Sequence, residues 1–313
     1  VRARAEIARR GLVVTLTKAY YGLVSAQRKY ATAQLALDEV RHLLAITEDL
    51  ERGGEVAHAD VVKAQMQVNA QEQAFREAKL AMDTAHMDLA VLISPDFDED
   101  FQVIDDLDPG PPLPAFTEIQ RLARQQNPDL RAALETLRGA GLDMAIARQS
   151  YLPTLAVDLV WGLEANQIGW RTVVAAAPQL GPVPTVGYFL TGSLTLPVWD
   201  WGARRSKLRQ AELRRAQANT ELSLAQRQLL RNLAAYYEEG ETARSQLDLL
   251  RQALDLAAES LRLNTLRYQG GEATILELVD AESALNQARN AYIDGLARYR
   301  LALANLQMLT GVP

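Results

Sequence analysis

The sequence predicts a mainly α protein of long antiparallel helical hairpins, with one β-hairpin between them. Three observations carry this: two long proline-free tracts, an internal repeat with a Gly-Gly pair inside each copy, and a short stretch of alternating apolar residues. None of the twelve prolines falls between Val1 and Ser94, or between Val198 and Val312. Both tracts are rich in Ala, Leu, Gln, Glu and Arg, which lose little freedom on entering a helix.

The repeat orders the first and last elements. Ala19-Tyr20-Tyr21 recurs as Ala235-Tyr236-Tyr237, and Gly53-Gly54-Glu55 as Gly270-Gly271-Glu272. The match continues through Val62 with Val279, Ala64 with Ala281, Asn69 with Asn286, Leu89 with Leu306 and Leu92 with Leu309. Glycine pairs stop helices because glycine accepts left-handed geometry. Residues 1–93 therefore read as one helical hairpin with a tip turn at 53–55, and 202–313 as a second with its tip at 270–272. In the second, Leu247, Leu250, Leu254, Ala257 and Leu261 step 3-4-3-4, the spacing of a coiled-coil stripe. Leu285, Ala288, Tyr292, Leu296, Tyr299, Leu303 and Leu306 mark another stripe, nearer an 11-residue period. One helix over 203–268 would run roughly 100 Å at about 1.5 Å per residue.

Between the hairpins the texture changes. Residues 94–150 form a connector that opens acidic and Pro-rich (Asp96, Asp98, Glu99, Asp100, then Pro109 to Pro114). A short strand is expected near Phe101 to Ile104. Helices are expected over 117–126, with Thr117 as N-cap, and over 129–150, parted by Asn127-Pro128. Residues 151–201 then alternate. Leu155, Val157, Leu159 and Trp161 interleave with Thr154, Ala156, Asp158 and Val160, and Leu190, Leu194, Leu196 and Val198 form the returning series. Such alternation gives one apolar face, as in a membrane-barrel strand. Trp161, Trp170, Trp199 and Trp201 all lie here, and indole rings favour the membrane–water interface. The pattern alone equally admits a soluble hairpin over a helical core. A lone hairpin in lipid needs its edges closed by other strands.

Composition narrows the function. The chain has 313 residues, is 48% hydrophobic and 23% charged, and carries a net charge of −6. It can bury a core, and its basic residues alternate with acids rather than clustering as nucleic acid requires. Cysteine is absent, which excludes disulfides and thiolate metal sites. No run of 18 apolar residues suggests a membrane helix, and no signal-peptide core follows Val1. His42, His58 and His86 are scattered without metal-ligand spacing, and no phosphate loop or nucleophile elbow occurs. Neither an enzyme nor a cofactor is expected.

Four motifs then resemble the TolC-like outer-membrane efflux protein family. Asn127-Pro128-Asp129-Leu130 opens the helix leading to Tyr151-Leu152-Pro153-Thr154, similar to the family's lead-in to a barrel hairpin. Pro197-Val198-Trp199-Asp200-Trp201-Gly202 resembles its exit into a long helix. Arg267-Tyr268-Gln269-Gly270-Gly271-Glu272 resembles the periplasmic tip turn. Leu276, Val279-Asp280-Ala281-Glu282, Leu285 and Ala288 follow at the spacing of the returning helix. Each motif is weak alone, but their order along the chain is specific.

The resemblance implies a homotrimer whose long hairpins form a periplasmic α-barrel. Its β-hairpins would contribute to an outer-membrane β-barrel in a Gram-negative bacterium. It implies a passive export channel serving a periplasmic adaptor (membrane fusion) protein and an inner-membrane pump, with outer-membrane lipid around it and no nucleic acid. Residues 2–50 align with the region after Trp201, so a first β-hairpin is expected upstream of this sequence. The family narrows its periplasmic mouth with acids, and Glu277 and Asp280 match that pair; their i, i+3 spacing puts both on one helix face. The alternative is two solvated acids on a helix exterior. The resemblance also implies a gate latch between Asp60 and Tyr268. Ala273 stands where some relatives have a basic residue, leaving Arg52 or Arg267 to supply that charge. The tips at Gly53, Gly54, Gly270 and Gly271 would contact the adaptor. The rival of another class is a soluble coiled-coil scaffold that binds partners along its helices.

Overall fold

Helix-forming tracts broken only by Gly-Gly turns give the principal elements of the structure, a computed structural model describing residues 2–94, 101–163, 173–175, 182–184 and 186–311. In chain order these are α1 (Arg2–Arg52), α2 (His58–Ile93), α3 (Phe116–Gln126), α4 (Pro128–Gln149), β1 (Thr154–Leu163), β2 (Val173–Ala175), β3 (Pro182–Pro184), β4 (Val186–Thr195), α5 (Ala203–Gln269) and α6 (Ile275–Thr310). The chain divides into two compact units, Val1–Ala132 with Leu224–Pro313, and Ala133–Ser223. Among the described residues no helix is long and apolar enough to cross a membrane.

In the first unit, α1 folds back on α2. Leu37 and Val40 bury against Val68, backed by Leu44 and Phe75. Tyr30 and Phe75 bring their ring centroids to 5.1 Å. The second hairpin repeats the arrangement, with Leu229 and Leu233 of α5 packed on Leu306 and Leu309 of α6. Further along, Ala243 and Leu247 meet Ile293, Leu296 and Tyr299, so the 3-4 stripes read from the sequence are the packed faces. Each fully buried leucine or isoleucine here contributes about 1.5–3 kcal/mol. The hairpins meet along α1 and α6, where Lys29 pairs with Asp294 at 2.6 Å and Glu39 with Arg289 at 3.4 Å.

The connector over residues 101–115 crosses this unit as a strap. No strand forms at Phe101 to Ile104, contrary to the sequence expectation: among the described residues no strand lies beside it to pair with, and the Phe101 ring stacks on His86 instead. Helix side chains take up carbonyls along the connector. The Tyr20 hydroxyl donates to the Ile104 carbonyl at 2.6 Å, and Arg300 Nη2 to that of Asp106 at 2.7 Å. Arg244 Nη1 donates to the Pro109 carbonyl at 2.6 Å, and the Tyr299 hydroxyl to that of Pro111 at 2.5 Å. Arg28 grips the Asp105 carboxylate with two nitrogens at 2.8 Å, and Leu107 plugs into the core. Helix α3 also starts earlier than expected. Its N-cap is Ala115 rather than Thr117, and Phe116 packs edge-on against Tyr237 with centroids 5.1 Å apart.

In the second unit, β1 and β4 pair antiparallel in the alternation that the sequence shows. Leu155 lies opposite Leu194, Leu159 opposite Leu190, and Thr154 opposite Thr195. A second short ladder joins β2 to β3. After β4 the chain turns into α5 at an elbow that Asp200 caps. Its carboxylate accepts from the Gly202 N–H at 3.1 Å and the Arg204 N–H at 2.9 Å, satisfying donors that a helix start leaves open.

Candidate functional site

Both hairpin tips close with the same backbone device. At the first, the Glu55 N–H reaches back to the Leu50 carbonyl at 2.9 Å, enclosing a Gly54 N–H bond to Glu51 at 2.8 Å. At the second, Glu272 bonds to Arg267 at 2.8 Å and Gly271 to Tyr268 at 3.0 Å. These nested bonds satisfy the last carbonyls of α1 and α5 and require a left-handed residue. Gly54 (φ 75°) and Gly271 (φ 73°) supply it. Gly53 and Gly270 lie one step earlier, without positive φ, and a methyl group on either would meet nothing closer than 3.5 Å.

The returning helices start differently. Thr274 caps α6 in a reciprocal box. Its hydroxyl accepts from the Glu277 N–H, and Glu277 Oε1 accepts from the Thr274 N–H at 3.3 Å. Helix α2 starts at Ala57 with no side-chain cap. The Thr-x-x-Glu spacing is a sequence mark of a helix start, and it gives Glu277 a structural role besides the one expected of it in the acidic pair. The Thr274 backbone N–H, together with the Thr274 hydroxyl and Arg267, holds the Glu277 carboxyl below its ordinary range. Arg267 Nη1 sits 3.2 Å from Glu277 Oε2, so Arg267 places a positive charge against the acidic pair. Arg52 instead pairs with Asp49 inside α1. Asp280 is exposed one turn further along α6.

Asp60 and Tyr268 are not brought together within the chain. The Tyr268 ring is buried, and its hydroxyl donates to Thr47 Oγ1 at 3.3 Å, tying α5 to α1. Asp60 lies 3.5 Å from Lys63 on its own helix. Thr47 is itself fully buried and donates back to the Leu43 carbonyl at 2.8 Å. Sequence reasoning missed it because a threonine inside a helix carries no periodic mark.

Of the four tryptophans, Trp170 lies outside the described residues. Trp161 is 80% exposed, Trp199 75% and Trp201 90%. Trp199 and Trp201 meet edge to face at 5.8 Å. Trp201 has φ 55°, a left-handed backbone that a bulky residue rarely adopts. The Asp200 cap and the neighbouring Gly202, at φ 84°, hold it there. The apolar face of β1–β4 is equally open, with Leu155, Val157, Leu159, Leu190 and Leu194 all more than 60% exposed. Among the described residues, no group of three or more His, Cys, Asp or Glu gathers as a metal site would need.

Comparisons with known proteins agree with this geometry. The family model of the outer membrane efflux protein matches residues 119–312. Outer membrane protein OprJ of Pseudomonas aeruginosa is 24% identical over 313 residues, which covers 96% of this chain and 61% of OprJ. Protein CyaE of Bordetella pertussis is 27% identical over 90% of this chain and 58% of its own length. This chain thus spans about three fifths of these relatives. The open-state crystal structure of the MtrE outer membrane channel of Neisseria gonorrhoeae superposes with a TM-score of 0.77 at 25% identity, covering 99% of this chain and 68% of that one. Family match and fold coincide, and the chain belongs to the outer membrane efflux protein family, whose place is the outer membrane.

Proposed function

We propose that the intact protein is a passive export channel, a homotrimer that conducts substrates from the periplasm to the exterior. The observation that carries this reading is the exposed apolar face of the β1–β4 hairpin with its flanking tryptophans. A two-stranded sheet with free edges is marginal in water and untenable in lipid. Copies joined edge to edge remove the free edges and turn Leu155, Val157, Leu159, Leu190 and Leu194 toward hydrocarbon. Membership in the efflux family supports the same reading.

In this reading the periplasmic adaptor docks on the turns at Gly53, Gly54, Gly270 and Gly271, and the inner-membrane pump selects the substrate and supplies the energy. The channel wall needs neither cofactor nor reaction chemistry. Three copies of Glu277 and Asp280 surround the mouth with negative charge, which favours cations and repels anions. Arg267 offsets part of that field at each Glu277. A latch between Asp60 and Tyr268 would have to form between neighbouring subunits, after the Tyr268 hydroxyl leaves Thr47.

Planar-bilayer recording tests the proposal. The intact protein should show a cation-preferring conductance, and the double variant Glu277→Ala with Asp280→Ala should lower that preference several-fold. A detergent-independent soluble species without conductance would overturn the channel reading. Unchanged selectivity in the double variant would overturn the acidic ring alone.

A further inference from the structure

Just above the second tip, the face of α6 that meets α1 buries a carboxyl without a partner. Glu282 is 3% exposed, and its Oε1 has no hydrogen-bond partner. Two turns further along α6, Arg289 reaches across to Glu39 of α1, with Nη1 on Oε2 and Nη2 on Oε1, both at 3.4 Å. Among the described residues, Glu39 from α1 and Arg289 from α6 are the charged groups that act on Glu282, and α2 and α5 add none. Two carboxyls therefore compete for one guanidinium, and Glu39 already occupies both of its terminal nitrogens.

Nothing nearby relieves the competition. Both amide atoms of Asn286 and Oδ1 of Asn290, at four-residue steps from Glu282, are also buried without partners. Asn286 and Asn290 line a groove of about 470 Å³ between α1 and α2, alongside Ala26, Ala33 and Ala78. Burial, and then Glu39, push the Glu282 carboxyl up to about 7 against the pull of Arg289. An ionised buried carboxylate without a partner is costly, so the site favours the proton.

We propose that Glu282 is a proton-operated joint between the two helical hairpins. When protonated, it leaves Arg289 to Glu39 and holds α1 against α6. When ionised, it sets a second negative charge against Glu39 and loosens that contact. The change is a single O–H bond broken or formed, its proton exchanged with water. Because the folded-state value lies above the ordinary 4.5, the stabilisation is fully present below that value. It declines as pH rises and is gone above about 7. The inference goes beyond the export reading and rests on contacts within one chain.

These 313 residues hold no cysteine, so once any cysteine elsewhere in the intact protein is replaced by serine, introduced cysteines report the joint directly. Ala45→Cys on α1 and Ala284→Cys on α6, both at exposed positions, carry spin labels in the intact protein, with labelled subunits diluted by unlabelled ones. Distances are measured at steps from about pH 5 to about pH 8.5, spanning the expected midpoint. The distribution should lengthen and broaden as pH rises, and Glu282→Gln should keep the low-pH distribution throughout. Glu39→Gln removes the competing charge and should move the midpoint about one unit toward acid. A pH-independent distance in the unsubstituted joint, an undiminished response in Glu282→Gln, or an unmoved midpoint in Glu39→Gln would each overturn the joint. The readout is a distance, so it stands or falls separately from conductance.

Discussion

Gly54 and Gly271 are the tip residues whose left-handed backbone disfavours an L side chain, and Gly53 and Gly270 are not. The sequence shows both pairs and their helix-stopping role but does not separate the two members. The separation comes from φ, which is left-handed only at the second glycine of each pair. Gly54→Ala and Gly271→Ala should therefore each cost about 1–2 kcal/mol, while Gly53→Ala and Gly270→Ala should be neutral or slightly stabilising. Urea midpoints of the four single variants check this, and equal losses would refute the distinction. Glu277 teaches a related lesson. Its acidity and position were legible, but one of its oxygens caps α6 and the other holds Arg267, and no spacing rule revealed the second contact.

At the scale of elements, the two returning helices share a sequence repeat but not a cap. Thr274→Ala removes the α6 cap and should cost about 1 kcal/mol, whereas Ala57→Ser supplies the cap that α2 lacks and should gain about half to one. Hydrogen exchange in the first turns of α2 and α6 measures both, and identical protection before and after substitution would show that neither cap matters. The helices were legible because their period near 3.6 reflects which faces are buried, and the β1–β4 hairpin because its period of 2 separates an apolar face from a more polar one, although the chain itself leaves that apolar face open. The path of Phe101 to Ile104 was not, because sequence pattern cannot show that the Phe101 ring stacks on His86 and that Tyr20 takes the Ile104 carbonyl. Helix α3 likewise takes its start from Phe116 packing on Tyr237, a long-range contact that overrides a good local cap at Thr117.

For the whole molecule, the order of the motifs identified the family, although each motif alone was weak. What a single chain leaves open on its surface indicates how copies associate. Leu249, Leu256 and Leu263 on α5 are exposed seven residues apart, and Met66, Leu80 and Met87 on α2 lie at multiples of the same step. These are stripes of coiled-coil period turned away from the chain's own core. If they close the proposed trimer, each leucine contributes about 1.5–3 kcal/mol on burial, repeated in every copy. Leu256→Glu should therefore shift the intact protein from trimer toward monomer in native mass spectrometry. A trimer that survives unchanged would exclude this face as the closing surface.

Much of the hold on the strap over residues 101–115 falls on its peptide carbonyls, at Ile104, Asp106, Asp108, Pro109 and Pro111. A grip on main chain is indifferent to what the gripped residue is. Exposed positions gripped through their carbonyls, such as Ile104, Pro109 and Pro111, are thus free to drift in composition from one lineage to another. Phe101, Val103, Asp105, Asp106, Leu107 and Leu113, whose own side chains are engaged, remain under constraint with the tyrosines and arginines that hold the strap.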